Sequence, residues 1–208
     1  MNKKILTVVL VALLAMTGVF ASVYRGETRV GLNLGMGADG WGKSVDNGTD
    51  VLVYGGAYIA GTFQYGLSDC LAVKAEAGVN TYSQFVRSYA NDATSSKGET
   101  TSRPANFAVS AAIVYDLPIG RIFDIQLQFG ADALIGKSSF GSDEFNVALG
   151  VDCGAAFVVN FTDEISLVVN SKYNLYVANT NETIKKAVSD NNMVFIGAQN
   201  TVGVTYSL

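Results

Sequence analysis

The chain has 208 residues, with 22 glycines, 10 tyrosines, 11 phenylalanines, two prolines and no histidine. That length suits one domain, and the aromatic-rich, proline-poor composition favours strands over a helical bundle. A net charge of −4 without a cluster of Lys and Arg argues against nucleic acid as a partner, because phosphate neutralisation dominates that binding.

Residues 1–21 read as a secretory signal peptide. Lys3 and Lys4 form its positive start, and Ile5 to Met16 form an apolar run. Val19 and Ala21 then place small residues ahead of a cleavage site before Ser22. An uncleaved anchor is the competing reading, since Ile5 to Ala21 approaches the roughly 20 residues of a spanning helix. Cleavage leaves a mature domain, residues 22–208, with a charge of about −6. Past Ser22 no apolar run reaches spanning-helix length, so any membrane crossing must use strands. Export points to an oxidising compartment, but Cys70 and Cys153 make no disulfide framework.

The mature chain then alternates apolar and polar residues with a period of two, in eight successive segments. In the first, Val30, Leu32, Leu34 and Met36 alternate with Arg29, Gly31, Asn33 and Gly35. The second sets Ile59, Phe63, Tyr65 and Leu67 against Thr62 and Gln64. The third sets Leu71, Val73, Ala75, Ala77 and Val79 against Lys74, Glu76 and Asn80. Phe107 to Leu117 alternate with Ser110 and Asp116, and Phe123 to Ala133 with Asp124, Gln126, Gln128 and Asp132. Phe145 to Phe161 face away from Asn146, Asp152 and Asn160. Ile165 to Leu175 oppose Ser166, Asn170, Lys172 and Asn174. The last segment, Val194 to Leu208, opposes Gln199, Thr201 and Thr205.

Segments of about 10 residues exceed the usual soluble strand of about 5–6. Their polar faces carry Gly, Ala, Ser, Asn and Gln, which suit a narrow barrel interior better than a solvated face. Aromatics fall near the segment ends, at Tyr65, Tyr82, Phe107, Phe123, Phe145, Phe161, Tyr173, Tyr176 and Tyr206, as interfacial girdles require. The connections alternate in length. Ser68-Asp69, Pro118 to Arg121 and Thr162 to Glu164 are short. Ala38 to Asp50, Ser83 to Arg103, Gly136 to Glu144 and Ala178 to Asn192 are long, the last with a possible helical turn at Thr183 to Val188. The predicted fold is all-β: a closed antiparallel up-and-down transmembrane β-barrel of eight strands, with short turns on the periplasmic side. Ten strands would need hairpins hidden in the second or fourth long loop.

The final residues, Thr201 to Leu208, resemble the C-terminal assembly signal of outer-membrane barrels, with Gly203, Tyr206 and Leu208 at its marked positions. Leu208 departs from that family's preferred phenylalanine. The resemblance implies that the barrel-assembly machinery takes this strand by edge pairing. Over the mature chain the sequence resembles the small OmpA/OmpX-type barrels, with OmpW-like proteins a close competitor. This implies insertion into the lipid of a bacterial outer membrane after export through the periplasm.

Without histidine, a Ser-His-Asp site is excluded and metal sites lose their commonest ligand. No catalytic, cofactor or metal residue is assigned, and a non-enzymatic role is expected. Asp116 and Asp124 flank the Pro118 turn as a conceivable carboxylate pair, with Arg121 and water as their ordinary partners. The candidate site is an interior polar network of Arg29, Lys74, Glu76, Asp132, Asp152 and Lys172, with Asp152 and Lys172 diagonal across adjacent strands. It reads either as a selective pore or, preferably, as a salt-bridged plug. Cys70 and Cys153 are expected to be inert and too far apart to bond. Trp41, in the first long loop, is expected to anchor at the membrane interface. The expected role is envelope integrity or surface interaction through four loops, whose ligand or host partner is unknown. One rival is a conduit for small apolar molecules; the other is a soluble lipocalin-like binder, for which Gly40-Trp41 has the wrong spacing.

Overall fold

The structure is a computed structural model and describes residues 25–45, 48–89, 106–120, 122–137, 145–180 and 194–208. It contains eight strands: β1 (Thr28–Val45), β2 (Gly48–Ser68), β3 (Leu71–Tyr89), β4 (Asn106–Pro118), β5 (Phe123–Lys137), β6 (Phe145–Asn160), β7 (Ile165–Asn179) and β8 (Val194–Ser207). Each strand pairs antiparallel with its neighbours in sequence, and β8 pairs with β1 to close the barrel. Closure leaves no sheet edge along the paired region, so the backbone amides there pair within the sheet, with register breaks at Gly55/Gly56, Gly66/Ser68 and Leu149/Gly150.

The register sets the barrel's width. Following paired residues from Val30 through Phe63, Ala75, Ala111, Ala131, Val151, Leu175 and Ile196 leads back to Gly40, ten residues further along β1. With eight strands, that offset tilts them by about 40° and gives a radius of about 8 Å. Such an interior is just wide enough for side chains to fill.

Alternation sorts the side chains between the two faces. Leu32, Leu34, Phe63, Ile113, Phe129, Leu149, Val169 and Val202 point outward and are exposed. Asn33, Gln64, Glu76, Ser110, Asp132, Asp152, Asn170, Lys172 and Gln199 point inward and are buried. A soluble barrel would reverse this arrangement, placing its apolar residues inside. At the β4–β5 turn the chain reverses through Gly120, whose φ of 132° disfavours any residue with a side chain.

Two expectations need correction. The first long loop, expected from Ala38 to Asp50, is mostly strand: β1 runs to Val45 and β2 resumes at Gly48. Gly40 and Trp41 therefore sit within β1, paired with Val53 and Leu52. Glycines there lack apolar alternation, but neighbouring strands supply the ladder hydrogen bonds that hold them extended. β3 likewise continues to Tyr89, past the expected end at Ser83. The second correction concerns Tyr176, expected in a girdle but buried inside the barrel. It shares the inward parity of Lys172 and Asn174. Tyr65, Phe107, Phe123, Phe145, Phe161 and Tyr206 are exposed on the outside toward the strand ends, whereas Tyr173, also expected in a girdle, is exposed but lies mid-strand in β7. The expected leader (1–21), Arg121, the side chains of Trp41 and Tyr82, and the helical turn at 183–188 lie outside the described residues.

Candidate functional site

The barrel interior is layered along its axis. Toward the long connections lies an apolar cluster of Tyr58, Ala60, Ala108, Leu134, Ala148, Tyr176 and Phe195, with the buried polar residues Asp39, Asn80, Asn106 and Asn146 beside and beyond it. Tyr176 and Phe195 stack with ring centroids 4.4 Å apart. Toward the short turns, Ala156, Val158 and Val168 form one apolar cluster and Ala72 and Val114 another.

Between these layers sits an ionic cluster centred on Glu76 of β3. Lys172 of β7 donates to Glu76 Oε1 at 2.9 Å, and Tyr58 of β2 donates to the same oxygen at 2.9 Å. Asn33 of β1 donates to Glu76 Oε2 at 3.4 Å, and Lys74 Nζ lies 3.5 Å from that oxygen. Lys172 also reaches Ser110 Oγ of β4 at 3.2 Å and Asp132 Oδ2 of β5 at 3.6 Å. Lys74 donates to Gln128 of β5 at 3.2 Å. One cluster thus ties together β1, β2, β3, β4, β5 and β7 across the lumen. Charges taken out of water need such pairing, because an isolated one is strongly destabilising.

The six expected network residues do not all meet. Lys74, Glu76, Asp132 and Lys172 come together in this cluster. Asp152 is 1% exposed and inward, but neither of its carboxylate oxygens has a hydrogen-bond partner. The diagonal Asp152–Lys172 contact is not formed, because Lys172 extends across the lumen to Glu76 instead. Arg29 is remote from the cluster. It pairs with Glu27 at 2.7 Å, and Glu27 also accepts from Ser207 at 2.8 Å.

Asp116 and Asp124 are both fully buried at the short-turn end. Gln126 donates to Asp116 at 3.2 Å and Asn160 donates to Asp124 at 2.6 Å. Ser166 in turn donates to Asn160 at 2.6 Å. Each carboxylate thus accepts from a side-chain amide, and the Ser166 hydroxyl extends the group at Asp124. Among the described residues, no group of three or more His, Cys, Asp or Glu is arranged to hold a metal ion.

The remaining sequence-marked residues lie on β8 and just beyond it. Gly203 faces inward, where an added Cβ would collide with Asn33 Oδ1 and the Leu32 carbonyl. Tyr206 faces outward and donates to Glu164 at 3.2 Å. The Leu208 amide donates to the Thr28 carbonyl at 2.8 Å, extending the β8–β1 ladder. Cys153 is exposed on the outer face, and Cys70 sits at the β2–β3 turn.

Tyr58, Tyr176 and Phe195 were absent from the expected interior, although their parity matches the polar residues beside them. Ser171 and Asn200 are polar yet lie on the outward face, against the alternation of their strands.

No known family's sequence profile matches the chain, and no curated protein sequence is significantly similar to it. Solved structures do resemble it. The outer-membrane protein OprG of Pseudomonas aeruginosa aligns with a TM-score of 0.55 at 10% identity, over 91% of this chain and 99% of its own. The N-terminal β-barrel domain of OprF from the same organism gives 0.51 at 11% identity, over 88% and 98%. Neisserial surface protein A gives 0.51 at 12% identity, over 88% and 99%. At these identities the likeness is one of fold, and the chain has the eight-stranded barrel fold of small outer-membrane proteins.

Proposed function

We propose that the protein is a non-enzymatic barrel of the bacterial outer membrane, whose lumen is a structural plug. Its role then lies in envelope integrity or in surface contacts made beyond the membrane. The observation that carries this reading is the cross-lumen cluster at Glu76. It fills the middle of a barrel about 8 Å in radius and leaves Glu76, Asp132, Asp152 and Lys172 almost inaccessible to water. The aromatic layer of Tyr58, Tyr176 and Phe195 covers it on the long-connection side. The outward apolar band supports insertion in lipid, and the girdle aromatics support its edges. The short turns then face the periplasm.

Strands of this tilt cross a bilayer in about 9–11 residues. β1, β2 and β3, at 18, 21 and 19 residues, therefore extend beyond it on the long-connection side. That ridge is the surface offered for contacts outside the cell. The pattern of Gly203, Tyr206 and Leu208 supports capture of β8 by the barrel-assembly machinery. Planar-bilayer recording of the refolded protein tests the plug. The expected result is no stepwise conductance; discrete openings by the unaltered protein would favour a channel and overturn this reading.

A further inference from the structure

The outward face is apolar almost everywhere, but two polar side chains interrupt it halfway along the barrel. Ser171 of β7 and Asn200 of β8 are cross-strand partners and both point outward. Asn200 lies six residues from the girdle residue Tyr206, about 15 Å along the barrel axis. That depth is near the centre of the hydrocarbon layer. Among the described residues, neither side chain makes a hydrogen bond. By contrast, the outward Thr81 returns its hydroxyl to the Ala57 carbonyl at 3.1 Å.

The surface around Asn200 is also recessed. A groove of about 570 Å³ lies on one side, with Leu34, Ala155, Ser171 and Val202 in its wall. A second, of about 450 Å³, lies on the other side, against Ala38, Gly55, Ala57 and Ala198. Met36 and Asn200 border both. Met36 is 71% exposed and stands as a ridge between the two hollows.

We propose that this face of β7, β8 and β1 is the interface of a homodimer within the membrane, centred on Asn200. The inference rests on the membrane-spanning reading above. Acyl chains offer no hydrogen-bond donor or acceptor, so lipid leaves the Asn200 amide unsatisfied. An amide carries both an acceptor and donors, and is thus complementary to a second copy of itself. A twofold axis passing beside Asn200 lets two such amides pair and satisfies the requirement of an isologous contact. It also sets the Met36 ridge of each copy against a hollow of the other. The small residues Ala38, Ala57, Ala155 and Ala198 permit close backbone approach, as at other intramembrane interfaces.

The test uses the full mature chain refolded into phosphatidylcholine vesicles, labelled with donor and acceptor dyes at Cys70 in a Cys153→Ser background. Energy transfer is measured as protein is diluted with lipid. The expected result is concentration-dependent transfer that Asn200→Leu weakens on the order of tenfold in association constant. Val109→Ala, on the opposite wall, should leave it unchanged. Absence of transfer at every density, or an Asn200→Leu variant that associates as tightly as the parent, overturns the dimer. Unboiled-gel migration of each sample reports whether the barrel is folded, and flotation with the vesicles reports whether it is inserted. A folded, inserted and monomeric protein refutes the dimer alone, whereas a protein that does not float refutes the membrane reading itself.

Discussion

Replacing Lys172 with methionine removes one charge from the middle of the lumen while keeping most of the side chain's bulk. The variant loses the 2.9 Å contact with Glu76, the 3.2 Å bond to Ser110 and the 3.6 Å approach to Asp132. Glu76 retains Tyr58 at 2.9 Å and Lys74 at 3.5 Å, so its charge stays partly compensated. Asp132 loses the ammonium beside it and remains buried. Breaking a buried pair by deleting one partner costs about 3–5 kcal/mol. Because Lys74 stays near Glu76, the expected loss is at the lower end, about 3 kcal/mol. Equilibrium urea unfolding in vesicles, followed by unboiled-gel migration, measures it. Adding Glu76→Gln to the same chain should restore part of the loss, with a coupling on the order of 1–3 kcal/mol. A single-variant loss below about 1 kcal/mol, the level of a solvated surface pair, would refute the claim that the lumen is closed to water.

Three further outcomes follow from the geometry. Gly203→Ala should destabilise by about 1–3 kcal/mol, because its methyl meets Asn33 and the Leu32 carbonyl; adding Asn33→Ser should recover only the side-chain part of this in the same unfolding assay. Phe195→Ala together with Tyr176→Ala should thin the aromatic cover and raise ion leakage from vesicles, with each single change costing about 3–5 kcal/mol. Ile113→Arg, on the outward face of β4, should cost about 2–4 kcal/mol in vesicles, whereas a water-exposed outer wall would tolerate it with little change.

Period-two alternation carries a side chain's face but not its neighbours around the barrel. It placed Glu76 and Lys172 on inward faces because polar residues flank them at spacings of two. It did not show that they touch, since they lie 96 residues apart on strands that are not paired. Their contact depends on closure and on the ten-residue offset, which only the completed register defines. That is also why Lys172 appeared to suit Asp152, one strand away. Tyr176 was legible in principle: parity groups it with Asn174, but its apolar neighbours Leu175 and Val177 obscure the alternation. The hairpin end of β1 was not legible, because Gly40 and Gly42 leave no polar–apolar contrast there. Asn200 defied the pattern for a different reason, being polar on a face whose rule is apolar.

The Glu76 cluster also bears on the order in which the molecule is built. Its members come from β1, β2, β3, β4, β5 and β7, so no single hairpin can assemble it. On the proposed membrane reading, these charges keep their water during insertion until their partners come within reach. The water can leave only when β8 meets β1 and the partners come within reach. The seam is therefore where the lumen dries, and a barrel stalled before that step is an open, hydrated trough. Expulsion of the last water and the final ladder of hydrogen bonds become a single event, which makes completion of this barrel closer to a latch than to a gradual tightening.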